Sequence, residues 1–269
     1  MAIKEMPVWK WVLLFLAALF LSLLLYGSSM LVTLLPVAWG RWVGSVLVAA
    51  AMLGLYTLFV RWFEKHWAQD LPLDKSLPHT GIGLGVGLGY FIVVVALMMA
   101  FGVYRIVGTG HEWSDILDSF FVFLLVAIGE ELVFRGVLFR WIDEKWGFIV
   151  ALVVSALVFG LVHISNDNAS WWSSVAIAIE AGLLLGAIYK YSGTLWAPIG
   201  VHWAWNFSQG NIFGFKVSGT DAGASLLYSD VSGSEWLSGG AFGAEASVIA
   251  VVVGAAVSAW LIWRIYKRA

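Results

Sequence analysis

The sequence predicts an all-α fold, a polytopic membrane bundle of about eight transmembrane helices forming one integral domain over residues 1–269. Three observations predict it. The chain is 61% hydrophobic and 12% charged, with a mean hydropathy of +0.89, whereas soluble chains run near half apolar and a quarter charged. Apolar runs close to the ~20 residues that cross a hydrocarbon core recur along the whole chain. Lys and Arg gather on alternate connections between those runs.

The first run, 9–26, follows Lys4 and Lys10. No small-residue cleavage site comes after it, so it reads as a span rather than a signal peptide. The second is 43–60. Residues 62–80, with Pro72 and Pro78, form the main cytoplasmic connection. The third span is 82–104, and Gly81, Gly83, Gly85, Gly87 and Gly89 alternate at its start. Glycine at every second residue marks no single helix face, but it permits close approach by a neighbour. Spans four to six are 120–140, 148–164 and 172–189. The seventh, 195–207, is short, with Pro198 near its start, and is expected to tilt or to lengthen at its far end. Residues 211–243 read as a polar, Gly/Ser-rich and partly mobile outer loop, and 246–263 is the eighth span. Most of the 17 tryptophans lie near span ends, where an interfacial belt places them. Trp203 and Trp205 lie inside span seven and are expected to pack.

With the N-terminus inside, the cytoplasmic segments hold Lys4, Lys10, Arg61, Lys65, Lys75, Arg140, Lys145, Lys190, Arg264, Lys267 and Arg268. The outer segments keep Arg41, Arg105 and Lys216 beside Glu112, Asp115, Asp118, Asp167, Asp221, Asp230, Glu235 and Glu245. This bias, and an even span count, put both termini in the cytoplasm, with the plasma membrane as the expected location. The net charge of −2 implies no nucleic-acid partner. Without cysteine the chain has no disulfide, thiolate nucleophile or Cys-ligated metal.

Chemistry concentrates in span four. Glu130, Glu131 and Arg135 lie in an apolar run, where ionisable groups are expensive and seldom kept without a partner or a task. Glu131 and Arg135 are four apart and share a face, so they can pair. Glu130 points about 100° away, leaving one carboxylate free to act as base or acid with a pKa raised toward neutrality. Phe159 and His163 share a face of span five. His202 and Asn206 share a face of span seven, where imidazole and amide together can hold a water, a metal or an oxyanion.

These three pairs, in this order, resemble the signature of the CPBP family, also called Abi or CAAX-protease-like intramembrane proteases. The matching text is Glu130-Glu131-Leu132-Val133-Phe134-Arg135, then Phe159 to His163, then His202 to Asn206. Gly136 after the arginine, Ser155 before the phenylalanine and the stretch from Gly193 to Pro198 also look like the family. The resemblance covers 118–211, the expected catalytic core. It implies endoproteolysis in the membrane. Eukaryotic members remove the C-terminal tripeptide of prenylated proteins, and bacterial members are linked to bacteriocin processing and self-immunity. By position, Glu130 and His163 would activate water, His202 and Asn206 would hold the oxyanion, and Glu131, Arg135 and Phe159 would support them. The partners implied are membrane lipid and a membrane-associated protein or peptide substrate.

Two imidazoles and a carboxylate also form a plausible zinc set, Glu130, His163 and His202. Their spacing is not the His-Glu-x-x-His pattern, so the metal-free and zinc readings both stay open. Glu180, midway along span six, departs from the family's apolar pattern there. It reads either as a second acid or ligand of the site or as a partner of Arg135. Two rivals remain: a non-catalytic peptide-binding or immunity protein, and an ion-coupled transporter using Glu130, Glu180 and the histidines as a relay. The absence of 20–50-residue repeats and of paired broken helices counts against the second.

Overall fold

The structure, a computed structural model, describes residues 8–110 and 113–268. Lys4 and Glu112, and the side chains of Lys10 and Trp11, lie outside the described residues. The elements run α1 (Val8–Thr33), α2 (Ala38–Glu64), α3 (Ser76–Ala100), β1 (Tyr104–Thr109), α4 (Trp113–Glu131), α5 (Arg140–Trp146), α6 (Phe148–Val162), α7 (Trp171–Ile177), α8 (Leu183–Ser192), α9 (Trp196–Phe207), β2 (Leu227–Val231), α10 (Glu235–Ser238) and α11 (Val248–Arg268). Wide π-helical turns join α4 to α5 at Leu132–Phe139 and α7 to α8 at Ala178–Gly182, and another extends α9 through Ser208–Ile212. The result is a polytopic helical bundle. Six of its helices are long and apolar enough to cross a membrane. The two other rods, 113–146 and 196–212, carry the motif glutamates and the His202–Asn206 pair.

Several boundaries differ from the sequence expectation. The first helix runs on to Thr33 and the second begins at Ala38. Pro78 was expected in a loop but sits in the first turn of α3, where its missing N–H costs nothing. The fourth rod begins at Trp113 rather than at 120, and the seventh does lengthen, through its π turn. The last helix is Val248–Arg268 rather than 246–263. Tyr104, expected at the end of a helix, lies in a strand. Gly102, at φ +73, turns the chain out of α3, and β1 then pairs antiparallel with β2, Tyr104 opposite Val231. This ribbon is a β element inside a bundle expected to be all-α. Nor is 211–243 loose: the Asn211 side chain donates to the carbonyls of Ala222 and Ala224, and the Tyr104 hydroxyl donates to Phe213 O at 2.8 Å.

The alternating glycines resolve into two sets. A Cβ on Gly83 or Gly87 would stand 2.3–2.4 Å from a carbonyl of α9, whereas Gly81, Gly85 and Gly89 face open space. Gly83 and Gly87 are one turn apart, so they form a backbone-close seam with α9, completed by Gly200. Trp203 and Trp205 pack as expected. Trp203 Nε1 donates to Phe120 O at 2.9 Å, and buried Trp205 stacks on Tyr90 at 4.1 Å.

Heights in the bundle follow from two fixed points. Gly147 (φ +88) ends α5 and begins α6. Glu130 lies 17 residues before it and His163 lies 16 after it, so both stand about 25 Å from that turn. α6 is therefore a short helix whose end stops at the depth of Glu130. The second point is Asp70. Its carboxylate accepts from Tyr56 Oη at 2.6 Å, its carbonyl accepts from Leu195 N at 2.8 Å, and Tyr56 also reaches Gly136 O at 3.1 Å. A Cβ at Gly136 would meet the Tyr56 ring at 2.9 Å, so the contact requires glycine. Burial pushes the Asp70 carboxyl above the usual carboxylate range, against the pull of Arg140 and the tyrosine bond. The start of α9 is thereby tied near Gly136, and six to seven residues of helix, roughly 10 Å, bring His202 up to Glu131.

Candidate active site

Glu131 and Arg135 are fully buried and paired at 2.9 Å, as their spacing requires. The Arg135 guanidinium lies over the Phe159 ring, 4.6 Å from its centroid, and its Nη2 points to Ala181 O and Gly182 O at 3.5 and 3.3 Å. Those carbonyls lie in the wide turn of the sixth rod, where looser helical bonding leaves them available. Phe159 therefore gives the arginine an apolar face and sits beside both histidine rings, at 4.8 Å from His163 and 6.0 Å from His202.

The hydrogen bonds fix the imidazoles. His163 Nδ1 lies 2.6 Å from Phe159 O, which can only accept, so the proton is on Nδ1 and Nε2 keeps a free lone pair. His202 Nδ1 lies 2.8 Å from the same Glu131 oxygen that takes Arg135. Its Nε2 then faces Glu130, 3.8 Å from Oε2. Glu131 thus orients His202 and neutralises Arg135 together. Glu130 is turned away from that network. Its buried Oε2 has no hydrogen-bond partner among the described residues, which in an interior position calls for a water or ligand.

Glu130, His163, His202 and Asn206 all line one cavity of about 560 Å³. The structure so brings together the four residues singled out for catalysis. Asn206 stands one turn above His202 on the same wall. The cavity opens toward the end of the bundle where Arg41 of α2 pairs with Asp118 of α4, the end opposite Arg140 and its partner Glu64. Tyr26 of α1 and Ser218 also line it. Sequence reasoning passed over both: Tyr26 belongs to a span without a motif, and Ser218 to a stretch that reads as loop.

No three His, Asp or Glu side chains among the described residues gather closely enough to hold a metal ion. The proposed zinc set is present in one cavity but not assembled as ligands, so the residues as placed do not fit zinc.

Glu180 does not join the site. It is fully buried among Tyr90, α11 and Glu245, and it does not meet Arg135. Tyr90 has one hydroxyl proton, and Ala250 O takes it at 2.7 Å. The same hydroxyl also reaches Glu180 Oε2 at 3.2 Å. Glu180 is not among the residues that line the cavity.

Comparison with known proteins agrees with the motifs. The family described as Type II CAAX prenyl endopeptidase Rce1-like matches residues 112–208, the stretch that holds all three. Over that stretch the chain is similar to the CPBP family. A Bacillus subtilis (strain 168) protein named "Putative membrane peptidase YdiL" is 25% identical to it over 180 residues, covering 61% of this chain and 68% of that protein. No solved structure gives a significant match. The matched stretch supplies the glutamates and both histidines, while Tyr26 and Ser218 come from outside it.

Proposed function

We propose that this protein is an intramembrane endopeptidase that hydrolyses a peptide bond in a membrane-associated substrate, with Glu130 as the base. The observation that carries this reading is the Glu130 Oε2, buried without a hydrogen-bond partner among the described residues at the wall of a cavity it shares with His163, His202 and Asn206. The family match supports a peptidase in general.

In the proposed step a water sits between Glu130 and His163 Nε2. Glu130 takes its proton, and the oxygen attacks the peptide carbonyl carbon. The carbonyl π pair moves to oxygen, giving a tetrahedral oxyanion. Asn206 Nδ2 and the Nε2–H of His202, cationic between two carboxylates, face that charge. Collapse re-forms the carbonyl and breaks the C–N bond, and protonated Glu130 delivers its proton to the leaving amine. Atoms and charge balance without any further reactant. Burial of the Glu131–Arg135 pair keeps this geometry rigid.

The substrate class follows from the surroundings. The cavity lies within the apolar bundle, so a bond presented by a lipidated or membrane-inserted peptide can reach it. With both termini in the cytoplasm, as the Lys/Arg bias supports, the mouth faces the outer side of the plasma membrane. The test is reconstitution of pure protein in liposomes with membrane-anchored and prenylated peptides, and identification of new termini by mass spectrometry. Cleavage by the wild type and none by His202→Ala is expected. Equal cleavage by both, or no cleavage of any such peptide, overturns the reading.

A further inference from the structure

A second concavity, of about 590 Å³, lies on the far side of α9 from the catalytic cavity. Its walls are apolar: Ile82 and Val86 of α3, Val257 and Leu261 of α11, with Val201 at the back. Ile82 and Val86 are exposed in the isolated chain, so this groove opens on the surface that faces lipid. One end is different in kind. Lys75, His79 and Arg268 line it, and among the described residues no carboxylate side chain does. Lys75 is exposed and has no ionic partner among the described residues; Asp74, its neighbour in sequence, is not part of the lining. His79 is held through Nδ1 on Thr194 Oγ1 at 2.8 Å, and Arg268 stacks on the Tyr191 ring at 3.9 Å.

An apolar groove of ligand-cleft size, with three basic side chains at one end, matches one kind of molecule. We infer that this groove binds an anionic phospholipid, its acyl chain along α3 and α11 and its phosphate at Lys75, His79 and Arg268. The occupant is a membrane lipid rather than the tail of a substrate, because the groove's polar end lies at the opposite end of the bundle from the catalytic mouth. The bound chain would press on Val201, next to His202, and on the α3–α9 seam at Gly83. Lipid occupancy thus supports the helix that carries half of the site.

The experiment is native mass spectrometry of delipidated protein titrated with phosphatidylglycerol or with phosphatidylcholine of the same chains. Preferential retention of phosphatidylglycerol is expected. In the K75A/R268A double variant, two cations at about fivefold each give a loss of roughly twenty-five-fold in that affinity. Both side chains are exposed, so thermal unfolding in detergent should match the wild type. Val86→Trp, which fills the channel with the charges intact, should also lower phosphatidylglycerol binding. Equal binding of the two lipids, a preference that survives in K75A/R268A, or displacement of bound phosphatidylglycerol by a prenylated peptide would each overturn the assignment.

Discussion

Two clusters of buried acids pack against α9, and they are held in different ways. On one side Glu130 and Glu131 meet His202 and Arg135 at the wall of a cavity. On the other, Glu245 accepts from Trp205 Nε1 at 3.0 Å and from the Ser218 backbone at 2.7 Å, and Glu180 is enclosed by Tyr90 and α11. Both clusters cost desolvation, so rarity of charge in a membrane does not separate them. Hydrogen bonding separates them. Glu130 keeps an oxygen without a hydrogen-bond partner among the described residues and a cavity in front of it. Glu245 accepts from three donors of the chain, and the turn it holds, at Ser218 (φ +48), forms part of the cavity wall. One cluster is a working surface and the other a brace.

Substitutions on the two sides should diverge, and the largest effect is expected at Arg135. Arg135→Met strands Glu131 without its buried partner and should cost about 3–5 kcal/mol of stability, read as loss of folded protein in detergent thermal melts. Asn206→Ala should leave folding intact and lower the cleavage rate by about 10²–10³, as for removal of an oxyanion donor. A loss confined to KM would instead make Asn206 a binding residue. Glu245→Gln replaces an acceptor of three donors and should cost about 1–3 kcal/mol, with activity reduced in proportion to folded protein. If activity falls far more than stability, the brace takes part in the chemistry. The smallest effect is expected from a chelator. Since Glu130, His163 and His202 are not gathered as ligands, the rate should be unchanged, and loss of activity restored by zinc would refute the metal-free reading.

Much of the working side was legible in the sequence because its contacts are local. Glu131 to Arg135, Phe159 to His163 and His202 to Asn206 are each one helical turn apart, and a turn is what sequence spacing reports. The bundle itself was legible from apolar runs. The brace was not, since Glu180 finds Tyr90 and Glu245 finds Ser218 only after distant segments fold together. Its position in span six suggested a site role that the packing does not provide. Nor was the level shared by Glu130 and His163 legible, because the fourth rod runs on to Trp146, six residues past the expected end of span four. The β1–β2 ribbon escaped because 211–243 has the composition of a loop, while its order comes from side-chain donors such as Asn211.

The most direct test compares the two acids side by side. Single-turnover cleavage of one membrane-anchored peptide should be measured in liposomes with Glu130→Gln and Glu180→Gln, each verified as folded. Glu130→Gln should fall by about 10²–10⁴, the range for loss of a general base, while Glu180→Gln, which still bonds Tyr90, should cleave at the wild-type rate. Full activity in Glu130→Gln, or equal losses in both, would contradict the account.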